Sequence, residues 1–239
     1  MLYYITFYTI IIIVFILSVI FLYIILPFII TLILRKRFRN QINKSKCICL
    51  TFDDGPNPDS TPQILGLLQA ADVKATFFVK GKNVLKYPDI TKNIVDLGHE
   101  IGDHSFSHKY AWYCDPYRTL TDIIRGKRAI EKFIRSSDPI LLRPPFGKLN
   151  LASLLYVILA RRRLAFWNVD PKDYQQESGK QVADFVIKHL SPGKVILLHD
   201  GRGNTTDNSM ITVDAVKLIL ENSKKRGLKL ITISKIFTE

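Results

Sequence analysis

Five short polar segments carry residue types that can grip a cation, move protons and hold a developing negative charge. The first is Thr51-Phe52-Asp53-Asp54-Gly55-Pro56, directly behind the apolar run Cys47 to Leu50. Adjacent carboxylates at the end of a strand repel each other unless a cation or hydrogen bonds compensate, so the pair invites a metal. Taken alone, Asp-Asp-Gly-Pro is equally good turn chemistry. The second is His104-Ser105-Phe106-Ser107-His108. Histidines at i and i+4 share one face of a helical turn, so both imidazoles can reach one ion. Two histidines and a carboxylate form a catalytic metal set that leaves a position open for water. A lone histidine is more often structural; a spaced pair leaving a strand favours ligation.

The third segment is Arg143-Pro144-Pro145-Phe146-Gly147, where the prolines stiffen a loop, glycine permits close backbone approach and Arg143 can clamp a carboxylate through its planar fork. The fourth is Trp167-Asn168-Val169-Asp170-Pro171-Lys172-Asp173-Tyr174, and the fifth is Val195-Ile196-Leu197-Leu198-His199-Asp200. Each of these three also has a plain reading, as a rigid turn with a surface arginine or as strand-end residues capping a loop.

The elements that must position these segments follow from hydrophobic periodicity. Short β-branched or aromatic runs alternate with longer amphipathic ones, the pattern of repeated β-α units around parallel strands. Strands are predicted near 47–52, 74–79, 99–103, 139–143, 164–169, 194–199 and 228–233, with helices near 61–71, 88–97, 118–136, 150–161, 179–189 and 211–226. Seven strands with intervening helices imply an α/β barrel or distorted barrel. In such folds the site forms at the carboxyl ends of the strands, where the polar segments fall.

Together and in this order, the five segments resemble the polysaccharide deacetylases of the NodB-homology type, carbohydrate esterase family 4, over nearly all of residues 46–239. The resemblance implies a distorted (β/α) barrel, a divalent metal, usually zinc with cobalt, manganese or nickel as alternatives, and hydrolysis of N-acetyl groups on glucosamine-containing glycans. By position, Asp54, His104 and His108 resemble the family's metal ligands, Asp53 its general base and His199 its general acid. Arg143 resembles the residue that orients Asp53, and Asp173 the one that orients His199. The backbone N–H of Phe146 falls where the family holds the oxyanion. Tyr174 stands where tryptophan is frequent, next to the expected acyl pocket, and Lys109 where proline is frequent. Trp112 lies in an aromatic stretch just beyond His108, where its ring could pack on a sugar or on the barrel.

Residues 1–45 and 46–239 read as an anchor and a catalytic domain. No charged side chain occurs from Leu2 to Leu34, enough helix to outspan the roughly 30 Å hydrocarbon core of a bilayer, so a single transmembrane helix is expected. A secretory signal peptide would need a basic start, a shorter apolar run and small residues before a cleavage site. Pro27 could kink the helix. Arg35, Lys36, Arg37 and Arg39 follow at once, and such clusters favour the cytoplasmic side, against the cell-envelope placement usual in the resembled family.

Of the formal +13, residues 1–45 supply five, leaving an excess that suits a membrane surface or a phosphorylated substrate; no nucleic-acid motif accompanies it. Cys47, Cys49 and Cys114 argue for small buried residues rather than a disulfide framework, because the first two share one face of a predicted strand. The partners this implies are an N-acetylated glycan or a lipid-linked amino sugar, with membrane lipid around the helix. The run Leu151 to Ala160, followed by Arg161, Arg162 and Arg163, is apolar enough either to bury against the barrel or to dock one face on the membrane.

Overall fold

The structure, a computed structural model, describes residues 1–135, 139–201 and 209–237. Four parallel strands, β1 (Ile48–Asp53), β2 (Thr76–Val79), β3 (Glu100–Asp103) and β4 (Lys194–His199), pair in the order β3-β2-β1-β4. Single parallel bridges close the ring: Asp103 with Leu142, Leu142 with Leu164, and Val169 with Ile196. The result is a distorted barrel, with two of the predicted strands reduced to bridges for local reasons. Pro139, Pro144 and Pro145 strip donors from either side of Leu142. In the other segment the Asn168 side chain replaces ladder bonds, accepting from the Val195 N–H at 2.8 Å and donating to the Gly193 carbonyl at 2.9 Å. The seventh predicted strand likewise contributes one bridge, Leu230 with Ile48.

Strand alternation separates two cores. Ile48, Leu50 and Phe52 face outward into a cluster shared with the surrounding helices, whereas Cys47 and Cys49 lie in a second, smaller cluster with Phe78, Ala165, Phe166 and Val195. These two cysteines thus act as small buried residues, whereas Cys114, expected to be buried with them, is half-buried in the loop before α6. The outer layer is α3 (Thr61–Ala70), α4 (Gly81–Lys86), α5 (Pro88–Asp96), α6 (Pro116–Ile130), α7 (Leu151–Leu159), α8 (Gly179–His189), α9 (Ser209–Lys225) and α10 (Ile233–Ile236). Proline opens α3, α5 and α6, where its missing N–H costs nothing, and Asp115 caps α6 by accepting from the Arg118 N–H at 2.8 Å.

At the amino end, α1 (Leu2–Ile20) and α2 (Leu26–Ile42) run on through a π turn (Phe21–Ile25) as one rod long and apolar enough to cross a membrane. The π turn lies just ahead of Pro27, whose ring removes one backbone donor, so the ladder widens locally there. Every residue to Leu22 is exposed; Pro27, Thr31, Phe38 and Ile42 are buried, the last two inside the smaller core cluster. The lower half of the rod is therefore packed as part of the barrel.

Candidate active site

Register sets the site. Asp53 pairs with His199 across β1 and β4 and with Phe78 across β1 and β2, while Val79 pairs with Asp103 across β2 and β3. All four strands end at one level, so the next residues, Asp54 and His104, emerge on the same rim.

One carboxylate and two imidazoles converge there. Ligand atoms of Asp54, His104 and His108 all lie within 4.8 Å of one another. His108 Nε2 stands 3.5 Å and His104 Nε2 4.0 Å from Asp54 Oδ1. His104 Nδ1 meets the Arg143 carbonyl at 2.7 Å, which assigns the proton to Nδ1 and leaves the Nε2 lone pair facing Asp54. The buried Asp54 Oδ1 has no hydrogen-bond partner. A carboxylate oxygen without a hydrogen bond, paired only with Lys80 Nζ at 3.4 Å and facing two imidazole nitrogens, fits a divalent cation. Burial opposes ionisation of Asp54, yet His108, His104 and Lys80 hold its carboxyl below the ordinary range. Burial pushes His108 down to about 4, with His104 and Lys80 adding to the effect against Asp54, so the ring is neutral, as a ligand must be.

The pair His104/His108 does not ride on a helical turn, as the spacing predicts. Residues 104–110 form a loop in which Ser105 (φ 62°) and His108 (φ 58°) take left-handed conformations. Side chains hold it: the Ser105 N–H donates to Asp103 Oδ1 at 2.9 Å, Ser107 Oγ to Asp122 at 2.5 Å, and the His108 N–H to Ser105 Oγ at 3.1 Å. Asp54 (φ 77°) and Phe146 (φ 55°) are left-handed too, so four rim residues sit in backbone that persists only when its surroundings enforce it.

Arg143, fully buried, threads the barrel interior beneath this rim. Its Nη1 donates to Asp53 Oδ1 at 2.6 Å and Thr51 Oγ1 at 2.8 Å, its Nη2 to the Phe166 carbonyl at 3.1 Å, and its guanidinium lies 3.9 Å from the Phe78 ring centroid. Asp53 is thereby fixed with its second oxygen, Oδ2, 3.5 Å from His104 Nε2.

Beside Asp53, His199 Nδ1 bonds Asp173 Oδ1 at 2.7 Å, while Asp173 Oδ2 accepts from the His199 N–H and from Thr212 Oγ1, both at 2.8 Å. Burial alone would discharge His199, but the charge and hydrogen bond of Asp173, with Asp53 and Asp54 adding, raise it to about 9. The ring is therefore an imidazolium at neutral pH with Nε2–H left to donate. Tyr174 meets His199 edge-on at 5.4 Å, and the Phe146 ring lies 4.7 Å from that of His108. Trp112 is engaged elsewhere: its Nε1 donates to the Leu149 carbonyl at 3.1 Å and its ring meets Phe28 of the rod at 5.7 Å.

Sequence reasoning assigned no role to four participants. Lys80, buried directly after β2, reaches within 3.4 Å of Asp54 Oδ1; the strand-end logic applied to Asp53 and His104 would have found it. Thr51 and Thr212 hold Arg143 and Asp173 and carry no sequence signal of their own. Asp200, which burial pushes up to about 7 against a 2.6 Å bond from Thr61 Oγ1, fills the space that a side chain at Gly55 would need.

A carboxylate and two imidazoles that could hold a cation, beside an arginine-clamped carboxylate and a charged imidazole on one rim of a parallel barrel, are the parts a hydrolytic site needs. The family follows from likeness to known proteins. The sequence profile described as polysaccharide deacetylase matches residues 40–160. A peptidoglycan-N-acetylglucosamine deacetylase of Bacillus cereus is 38% identical over 196 residues, 81% of this chain and 89% of that protein. A chitooligosaccharide deacetylase of Bradyrhizobium is 29% identical, over 82% of this chain and 92% of that protein. The crystal structure of the Bc1960 peptidoglycan N-acetylglucosamine deacetylase superposes with a TM-score of 0.75 at 31% identity, covering 82% of this chain and 90% of that one. The chain belongs to the polysaccharide deacetylase family, carbohydrate esterase family 4, hydrolases of amide carbon–nitrogen bonds that are generally metal-dependent.

Proposed function

We propose that the chain removes the N-acetyl group from an amino sugar of a glycan, with one divalent cation held by Asp54, His104 and His108. The observation that carries the reading is the convergence of those three ligands beside an arginine-clamped Asp53 and the His199–Asp173 pair. Two imidazoles and one carboxylate suit zinc, and cobalt, manganese or nickel fit the same donors. When bound, the cation supplies Lewis acidity toward the amide carbonyl and the attacking water.

The residues supply the rest. Asp53, kept in place by Arg143, accepts the proton that water loses as its oxygen bonds the carbonyl carbon. The Phe146 N–H donates to the carbonyl oxygen as its negative charge grows. His199, charged and held by Asp173 through Nδ1, gives the Nε2 proton to the amide nitrogen, and the C–N bond then breaks. The water oxygen leaves in acetate, and the sugar keeps a free amine. Tyr174 edges His199 beside the acyl position and Lys80 balances the negative charge of Asp54. The full chain, purified in detergent and loaded with zinc, is expected to release acetate from N-acetylglucosamine oligomers. Asp53→Asn should abolish release with metal content intact; undiminished turnover in that variant would remove the mechanism.

A further inference from the structure

The contacts of the amino-terminal rod are ordered along its length. At its lower end Asn43 and the Ile42 carbonyl crowd Gly193, just before β4 begins. Phe38 meets Phe166 edge-on at 5.9 Å, and Arg35 Nη2 donates to the Gly147 carbonyl at 3.2 Å. Farther toward the amino end, Phe28 meets Trp112, and Tyr23 donates to the Cys114 carbonyl and accepts from Asn150 Nδ2, each at 2.9 Å. Gly147, Trp112, Cys114 and Asn150 belong to the loops beyond the strand ends, the rim that carries Asp53, Asp54 and His104. The rod therefore runs antiparallel to the strands and leaves the body at the catalytic rim.

From Leu2 to Leu22 every residue is exposed, no side chain carries a charge, and the stretch is about 30 Å long at the rise of an α-helix, the thickness of a hydrocarbon core. Residues 23–42 are committed to the barrel, so no slack separates span from body; the short connection 43–47 lies at the opposite end. A bilayer around Leu2–Leu22 must then begin at the level of Tyr23, beside residues 109–117, which run from the loop into the first turn of α6. That segment has the composition of an interface: Tyr113 is 86% and Tyr117 78% exposed, with Lys109 exposed and Lys148 Nζ lying 4.3 Å from the Trp112 ring centroid. Leu155, Ile158 and Leu159 of α7 and Ile29, Leu32 and Ile33 of the rod are exposed as well, extending the apolar surface down the adjoining flank.

The site lies close to this boundary. Successive ring contacts join His108 to Phe146 (4.7 Å), Phe146 to Tyr110 (4.8 Å), Tyr110 to Trp112 (5.8 Å) and Trp112 to Phe28 of the rod (5.7 Å).

We propose that the catalytic rim faces the bilayer and that the substrate is an N-acetylated amino sugar carried in that bilayer on its own lipid. This rests on the deacetylase reading above and names its substrate class. A rim turned toward the headgroups is reached by a sugar whose lipid shares the membrane, whereas a polymer lying away from the membrane meets the opposite, strand-start end of the barrel. The basic groove at that end, lined by Arg37, Lys44, Arg161 and Arg163, then faces away from the lipid.

The test reconstitutes the full, zinc-loaded chain in phosphatidylcholine vesicles and measures acetate release from a dialkyl N-acetylglucosaminide lipid in the same vesicles, from that lipid in separate vesicles, and from soluble N-acetylglucosamine oligomers. Sharing a membrane raises effective concentration, so turnover of the lipid in the same vesicles should exceed that in separate ones by about tenfold or more. Equal rates in the two arrangements, or cleavage of the soluble oligomer alone, would overturn the inference and leave the deacetylase reading standing. Failure on all three substrates would remove both. Orientation is read independently in Trp112→Phe, Trp167→Phe chains carrying Tyr117→Trp or Lys44→Trp, in vesicles with brominated acyl chains. Quenching is expected at position 117 and not at 44; the reverse pattern, or none at 117, overturns the proposal.

Discussion

Asp173→Asn isolates the proton donor. In the native site the Asp173 carboxylate spans His199 Nδ1 and the His199 backbone N–H at 2.7 and 2.8 Å, and the imidazole is raised to about 9 from an ordinary 6.5. An amide in place of the carboxylate removes the charge that overcomes burial, so the imidazolium should titrate at or below its ordinary value. The acid must be protonated to work, so activity falls as pH rises through this pKa, and the variant's alkaline limb should lie roughly 2.5 pH units lower. At pH 8 a group titrating at about 9 is roughly nine-tenths charged and one at 6.5 roughly one-thirtieth, a loss of about 30-fold, whereas near pH 5.5 the two enzymes should differ by less than about twofold through this group. The assay is acetate release against pH at saturating metal, with bound metal measured at each pH. An alkaline limb unmoved by the substitution would refute His199 as the acid, and a uniform loss at every pH would reduce Asp173 to a scaffold.

Three further outcomes follow from the same coordinates. Alanine at Asp54, His104 or His108 should lower bound zinc well below one equivalent by elemental analysis and abolish turnover, whereas Thr212→Val should keep the metal and lower only turnover. Arg162, paired at 3.0 Å with the buried Asp103, should cost about 3–5 kcal/mol when truncated to alanine, a fall of roughly 6–20 °C in Tm, because the carboxylate stays buried without its partner. The exposed neighbours Arg161 and Arg163 should change Tm by less than about 2 °C. Arg35→Leu removes the donor to the Gly147 carbonyl, one residue from the Phe146 N–H proposed to meet the oxyanion, and should lower kcat about fivefold with KM and zinc content nearly unchanged, Arg35→Lys recovering part of the loss.

Much of the architecture was legible because burial in a parallel barrel writes itself into the chain as alternating runs. Five of the six predicted helices coincide with observed ones to within about two residues at each end, and the outer helix α6 opens two residues early on Pro116 and is over by Ile130. The candidate site was legible for a different reason, since Asp53, Asp54, His104, Arg143 and His199 each end or directly follow a strand or bridge, with His108 and Asp173 in the loops just beyond. What the sequence hid was whatever depends on a partner far along the chain. Arg162 sits between two exposed arginines and looks the same as they do, yet its guanidinium turns inward to Asp103. The short helix α4 offers too few residues for a period to show, and the His104–His108 spacing mimics a helical turn although Asp103 and Asp122 fold it as a loop. Asn168 reads as a loop residue until its amide is seen standing in for two rungs of the ladder.

The rod is the deepest instance, because one property serves two solvents. Leu2–Leu22 and residues 23–34 are equally apolar and uncharged, so composition reads them as one span. Only the partners divide them: Tyr23, Phe28, Thr31 and Arg35 meet or pack toward barrel loops, and Phe38 and Ile42 enter its core. Arg35, which as a charge following an apolar run marks a membrane edge, instead stacks within 5.0 Å of the Trp167 ring and bonds the loop that presents Phe146. Gly147 is favoured there by its φ of +61°, and a Cβ, 1.7 Å from the guanidinium, would displace the end of Arg35 from its bond. A helix whose Arg35 bonds the Gly147 carbonyl and whose Phe38 and Ile42 enter the core belongs to the packing of the barrel, so a change in its lower half should be felt at that carbonyl whatever surrounds its upper half.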